Sequence, residues 1–206
     1  MMSLVTLILA AGASRRMGNI KALLPWGSKT VVEYLMEEAE ASGPGETLIV
    51  TGAYREEVLG RLGPLSNLTH HNPDWKSGMG SSLASGVREI ERRFPQASAA
   101  LVILVDQPLL TRDYLSRIRL EHQAFPERII ASDYGEFAGV PALFPRRFWH
   151  ALKDLSRDKG AKGLIASRKA ECRVLYPGKA ITDMDTPEAY EKALRKAGIN
   201  PKQRKS

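Results

Sequence analysis

Blocks of apolar residues recur along the chain, and their lengths and flanks assign most of its elements. Ser3 to Ala10 holds Leu4, Val5, Leu7, Ile8 and Leu9 in an almost unbroken run, the pattern of a strand buried on both faces. Thr30 to Ala41 reads as a helix stopped near Gly43-Pro44-Gly45. Glu46 to Gly52 is a second strand, Arg55 to Arg61 a short helix, and Asn67 to Asn72 a short third strand. Gly80 to Phe94 sets Leu83, Val87 and Ile90 on one helical face. Ala99 to Asp106 is apolar until it ends at a carboxylate, and Thr111 is placed to cap a helix over Arg112 to Phe125. Arg128 to Tyr134 is a further strand, and Gly139 to Phe144 extends the strand pattern. Helices are expected around Phe148 to Leu155 and Lys159 to Ser167, then a late strand over Cys172 to Tyr176. Pro187 to Ala197 is a closing helix with proline in its first turn.

Strands alternating with helices predict an α/β fold: a single-domain, three-layer sandwich around a mostly parallel, twisted sheet. No repeat, low-complexity tract or linker divides the chain, so residues 1–197 are expected to form one domain. Residues 198–206 are then a basic, frayed tail. Ligands of such sheets bind at the carboxyl ends of the strands. The loops after Ala10 and after Val105 are therefore where chemistry is expected.

Composition narrows the class. The chain has 206 residues, 43% apolar and 26% charged, enough for a sizeable core. A lone cysteine, Cys172, excludes an intrachain disulfide or a cysteine metal cluster and suits a reducing, cytoplasmic compartment. The opening apolar run has no basic residues before it, so a buried strand is expected rather than a secretory leader. No run approaches the ~20 residues of a membrane helix, and no membrane partner is expected. The net charge of +7 suits a polyanionic ligand. Trp26, Trp75 and Trp149 are scattered with no basic–aromatic stripe, which argues against nucleic acid.

The loop after the first strand reads Leu9-Ala10-Ala11-Gly12-Ala13-Ser14-Arg15-Arg16-Met17-Gly18-Asn19-Ile20-Lys21. Five residues separate Gly12 from Gly18, which breaks the P-loop spacing, and Ala13-Ser14 breaks the dinucleotide fingerprint. The residue types still point to phosphate. Gly12 lets a backbone N–H approach an oxyanion, and Arg15, Arg16 and Lys21 bring positive charge to it. Gly78, Gly80, Ser81 and Ser82 form a small polar surface before a helix, suited to a base or a phosphate or simply to a capped helix start. Asp106 ends a buried strand, and Asp183 and Asp185 precede the closing helix. A carboxylate pair of this kind can ligate magnesium, although Asp185 or Thr186 could simply cap that helix. His70 and His71 are adjacent in a strand and face opposite sides, so packing or exposure is expected there rather than a shared metal. Asn72 and Asp74 are expected to shape the entrance to the serine segment.

The loop, the serine segment, Asp106-Gln107-Pro108, Gly139-Val140-Pro141-Ala142-Leu143-Phe144, Arg157 to Ile165 and Asp183-Met184-Asp185-Thr186-Pro187 occur in one order. In that order they resemble the molybdenum cofactor cytidylyltransferases of the MobA-like nucleotidyltransferase family, over nearly the whole chain. The resemblance implies a Rossmann-like nucleotidyltransferase fold. It further implies transfer of CMP from CTP to the terminal phosphate of the molybdopterin cofactor, with release of pyrophosphate. By that resemblance Leu9, Ala10, Ala11, Gly12, Ser14, Arg15, Lys21, Gly80, Ser81 and Ser82 bind nucleotide. Arg16 and Lys21 are catalytic, and Asp106 with Asp185, better matched than Asp183, holds Mg2+. The partners implied are CTP or another NTP, a phosphorylated pterin cofactor and a molybdenum hydroxylase apo-enzyme. Ala10-Ala11-Gly12 and Asp106-Gln107-Pro108 favour cytidylyl over guanylyl transfer. A GTP-using enzyme and a non-catalytic cofactor carrier are the alternatives left open. Val140 stands where related sequences often carry histidine, so the acceptor pocket is expected to differ.

Overall fold

The computed structural model describes residues 3–14, 16–155 and 160–200. In chain order the elements are β1 (Ser3–Ala10), β2 (Pro25–Trp26), β3 (Lys29–Thr30), α1 (Val31–Ala41), β4 (Glu46–Thr51), α2 (Arg55–Leu62), β5 (Thr69–His71) and α3 (Met79–Arg93). There follow β6 (Ala97–Leu104), α4 (Arg112–Ala124), β7 (Ile129–Asp133), β8 (Ala138–Pro145), α5 (Trp149–Lys153), α6 (Ala161–Ser167), β9 (Cys172–Leu175) and α7 (Pro187–Lys196). One seven-stranded sheet runs in the order β5-β4-β1-β6-β8-β7-β9. Only β8 opposes its neighbours β6 and β7; the other pairings are parallel. The α/β architecture expected from the alternating pattern is the one observed.

The two faces of β1 explain its nearly unbroken apolar run. Leu4, Ile8 and Ala10 pack into one core with α1, α2, α4 and α7. Val5, Leu7 and Leu9 pack into the other with α3, α5 and α6. Helices on both sides leave β1 no solvated face, so every second residue cannot be polar. Thr6 is the exception: fully buried, its hydroxyl accepts from Arg119 Nη2 at 3.1 Å. Helix α3 lies so close to the sheet that a Cβ at Gly86 would come within 2.8 Å of Leu7 and Val50 side chains.

Helix starts follow the capping residues. The Thr30 amide donates to Glu33 Oε2 at 2.7 Å before α1. Thr111 accepts from Tyr114 N ahead of α4, and Thr186 accepts from Ala189 N ahead of α7. The helix expected from Phe148 is shorter, covering Trp149–Lys153. The helix expected from Lys159 starts at Ala161, and Lys159 lies outside the described residues. Strand β6 ends at Leu104, where its pairing with Leu9 of β1 stops, so Asp106 sits in the following turn rather than in the strand. Past α7, Ile199 N donates to Leu194 O at 2.9 Å and the side chain packs on the core. Residues 201–206 of the basic tail lie outside the described residues.

Candidate active site

The loop after β1 is shaped by neighbours at the same sheet edge. Ala53 N donates to Ala11 O at 3.2 Å, and the Tyr54 hydroxyl donates to Ala13 O at 3.0 Å. Gly52 makes this approach feasible, since a Cβ there would lie 2.5 Å from Ala11 O. Ser14 adopts φ 48°, a left-handed conformation uncommon for a residue with a side chain. Its carbonyl accepts from Met17 N at 3.0 Å and its hydroxyl from Lys21 N at 3.3 Å. These bonds curl the loop and fix the base of the Lys21 side chain. A Cβ at Gly12, by contrast, would meet nothing within 4 Å. The fold itself does not demand glycine at position 12, which leaves the open space beside it to a ligand.

The loop lines a cleft of about 550 Å³. It brings together Leu9, Ala10, Ala11, Gly12, Ser14, Arg16, Lys21, Ser82, Asp106 and Asp185 from the sequence-based candidates. Arg15 lies outside the described residues, as do Arg157, Asp158 and Lys159. Gly80 and Ser81 are not among the residues that line the cleft. The Ser81 hydroxyl is within 2.9 Å of both Asp74 O and Gly78 O, as donor, and accepts from Asn72 Nδ2 at 3.0 Å. Asn72 also donates to Ser82 Oγ at 3.0 Å and accepts from Asp74 N at 3.1 Å, so this buried amide braces the serine segment. His70 pairs with Ser85 Oγ at 2.7 Å, while His71 is exposed.

Trp75, Lys76 and Met79 also line the cleft, although nothing in the sequence marks them as facing a ligand. They lie in and just after a short turn between β5 and α3, where no periodicity marks a lining face. Gln107 of the Asp106-Gln107-Pro108 motif is outside that lining and buried. Its Nε2 donates to Tyr134 OH at 2.7 Å and to Asp183 Oδ1 at 3.0 Å. Tyr134 in turn has its hydroxyl pushed up to about 12, chiefly by burial.

The carboxylates meet the loop's cations at the floor of the cleft. Lys21 Nζ lies 2.5 Å from Asp185 Oδ1 and 3.4 Å from Asp106 Oδ2. Arg16 Nη2 lies 2.7 Å from Asp185 Oδ2. The two acids respond in opposite directions. The Lys21 hydrogen bond and the Arg16 charge hold Asp185 below its ordinary value despite some burial. Burial pushes Asp106 up, and the Lys21 charge only partly opposes this. Met184 N donates to Asp106 O at 2.8 Å, which ties the two acidic segments together through the backbone. Asp183 faces Gln107, whereas Asp185 lines the cleft.

This donor set fits a divalent cation. Asp106 Oδ1 is buried with no hydrogen-bond partner, an unusual condition for a carboxylate oxygen. The Lys21 ammonium, between the two acids, shows that positive charge is favoured at that point. No group of three or more His, Cys, Asp or Glu able to hold a metal occurs among the described residues. The protein thus offers a carboxylate pair, which suits an ion that completes its shell with phosphate oxygens and water.

Comparison with known proteins gives a concordant pattern. A family profile described as the MobA-like NTP transferase domain matches residues 6–172. Nicotine blue oxidoreductase of Paenarthrobacter nicotinovorans is 38% identical over 62% of this chain, a match spanning only 60% of that relative. Purine catabolism protein PucB of Bacillus subtilis is 30% identical over 93% of this chain and 96% of its own. Molybdenum cofactor cytidylyltransferase of Escherichia coli is 32% identical over 54% of this chain and 56% of its own. Among solved structures, Rv0371c of Mycobacterium tuberculosis H37Rv superposes with TM-score 0.79 at 25% identity, covering 94% of this chain and 99% of its own. A second structure of that protein is a complex with manganese, at TM-score 0.75.

Proposed function

This chain belongs to the MobA-like NTP transferase family, and from that premise we propose that it transfers CMP from CTP to the terminal phosphate of a molybdopterin cofactor, releasing pyrophosphate. The observation that carries the reading is the meeting, in one cleft, of a cationic glycine-framed loop with an acid pair. A carrier of the finished cofactor would have no need of that pair. Cytidylyl rather than guanylyl transfer is supported by Ala10-Ala11-Gly12 and by Asp106-Gln107-Pro108. The kinship with a molybdenum cofactor cytidylyltransferase supports it too.

The acceptor phosphate is already anionic, so no general base is required. It attacks the α-phosphorus of CTP in line, a P–O bond forms, and the bond to the pyrophosphate oxygen breaks. Catalysis is then positioning and charge stabilisation. The Gly12 backbone admits the phosphates, Lys21 and Arg16 offset charge on the leaving pyrophosphate, and Ser82 with Trp75 and Met79 lines the nucleoside side. Asp106 and Asp185 would hold Mg2+, which supplies further positive charge to the phosphate oxygens when bound. The product would pass to a molybdenum hydroxylase apo-enzyme.

The deciding experiment follows pyrophosphate release with purified molybdopterin cofactor, Mg2+ and each nucleoside triphosphate. CTP is expected to be the preferred donor. A clear preference for GTP overturns the cytidylyl assignment. Binding of the cofactor with no pyrophosphate from any nucleotide replaces the enzyme with a carrier.

A further inference from the structure

Lys21 has two tasks that conflict. The proposed reaction needs its ammonium on the triphosphate, yet here it lies 2.5 Å from Asp185 Oδ1 and 3.4 Å from Asp106 Oδ2. A divalent cation on the same oxygens would stand at contact distance from that ammonium. Two positive groups cannot share so small and partly desolvated a place. We propose that Lys21 and a divalent cation are alternative partners of the Asp106–Asp185 pair, so that cation binding transfers the lysine from the acids to the phosphates.

The scaffold decides which part moves. The acids are stitched in place by Met184 N on Asp106 O at 2.8 Å. Gln107 Nε2 adds a second tie, on Asp183 Oδ1 at 3.0 Å. The root of Lys21 is held by its own amide on Ser14 Oγ. Between root and ammonium lies a four-carbon stem of rotatable bonds, which lets the ammonium pivot while its root stays fixed. Arg16 also contacts Asp185, but its side chain is 74% exposed and it can withdraw into water. Lys21 is only 13% exposed, and among the described residues lining the cleft Asp106 and Asp185 are the only acids, so its next anionic partner there is the nucleotide of the proposed reaction. Exchange therefore makes cation and nucleotide binding mutually reinforcing, because each removes an obstacle to the other.

This inference rests on the metal–nucleotide reading of the cleft, and its test separates the two. Protein without nucleotide is titrated with Mn2+, and binding is read by electron paramagnetic resonance. In parallel the lysines are acetylated with a water-soluble active ester, and modification of Lys21 is measured by mass spectrometry against exposed Lys192. Mn2+ is expected to raise Lys21 acetylation roughly fivefold or more, the range of a typical coupling between sites. Asp106→Asn should abolish the increase. Asp185→Asn should make Lys21 reactive without Mn2+. Lys21→Met should bind Mn2+ more tightly than the wild type. Bound Mn2+ with flat or reduced Lys21 acetylation overturns the exchange and leaves the metal site standing. Absence of Mn2+ binding in the wild type, both without nucleotide and in a second titration with CTP present, overturns the metal site and the exchange with it.

Discussion

Asp106→Asn should cost activity and add stability. Asp106 Oδ1 is buried without a partner, and Oδ2 receives only a long 3.4 Å contact from Lys21. A buried polar atom left unsatisfied costs about 1–3 kcal/mol, more when charged. Asparagine keeps the shape and removes the charge, so a relief of about 1 kcal/mol is expected at pH 7. For a domain of this size that raises Tm by about 2–4 °C. Its pH dependence has a definite sign. Burial holds the folded Asp106 carboxyl above its ordinary value, so between the two values the folded state binds the extra proton. The wild type therefore loses stability as pH rises through that window, and the variant does not. The gap should close as pH falls below ~4, where the unfolded carboxyl is also protonated. Activity should fall by about 10²–10³, the usual loss on removing one preorganised charge contact. The assays are thermal melts in chelator across pH and pyrophosphate release with CTP and Mg2+. A melt several degrees below wild type at pH 7 refutes the account of Asp106 as a strained acid kept for function. Near-normal turnover refutes its role in holding a cation.

Lys21→Ala and Arg16→Ala should each lower turnover by about 10²–10³ with unchanged circular dichroism, and normal rates in both would move the phosphate site elsewhere. Asp183→Asn should be milder than Asp185→Asn in pyrophosphate release, because Asp183 meets Gln107 while Asp185 lines the cleft; the reverse order would exchange their roles. Gly86→Ala should lower Tm by about 2–4 °C. Its Cβ would press on Leu7 and Val50 at 2.8 Å, and overpacking outweighs the better helix propensity by about 1 kcal/mol. A raised melt would mean that α3 can lift from the sheet.

Much of this molecule was legible from periodicity. Strand β1 announces itself because both its faces are apolar, and β6 for the same reason. The short β5, Thr69–His71, lies inside the longer stretch Asn67–Asn72 that the pattern marks as a strand, because Asn67 and Leu68 still belong to the preceding helical turn. Turn positions were harder. Asp106 was expected in the strand and lies just beyond it, because hydrophobicity continues through Val105 after sheet pairing has stopped. The cationic loop and the acids could be read from residue type and spacing. Their direct contact could not, since Lys21 and Asp185 are 164 positions apart and nothing local in either segment names the other. Ser81 shows the opposite limit. Its hydroxyl is chemically suited to a ligand but is committed to Asp74, Gly78 and Asn72, and the residue is outside the cleft lining. Only tertiary geometry separates it from Ser82.

The 164 positions between Lys21 and Asp185 also set a clock. At about 5–20 residues per second, translation delivers the carboxylate roughly 8–30 s after the lysine. Through that interval the emerging loop carries Arg16 and Lys21 with no Asp185 to neutralise them. For the later part of that interval Asp106 is the only acid of the pair within reach of Lys21, and Arg16 lacks its Asp185 partner. The acid pair closes only when the segment before α7 docks and Met184 N reaches Asp106 O. Completion of the site is thus a long-range closure, made after most of the sheet-forming sequence has been synthesised.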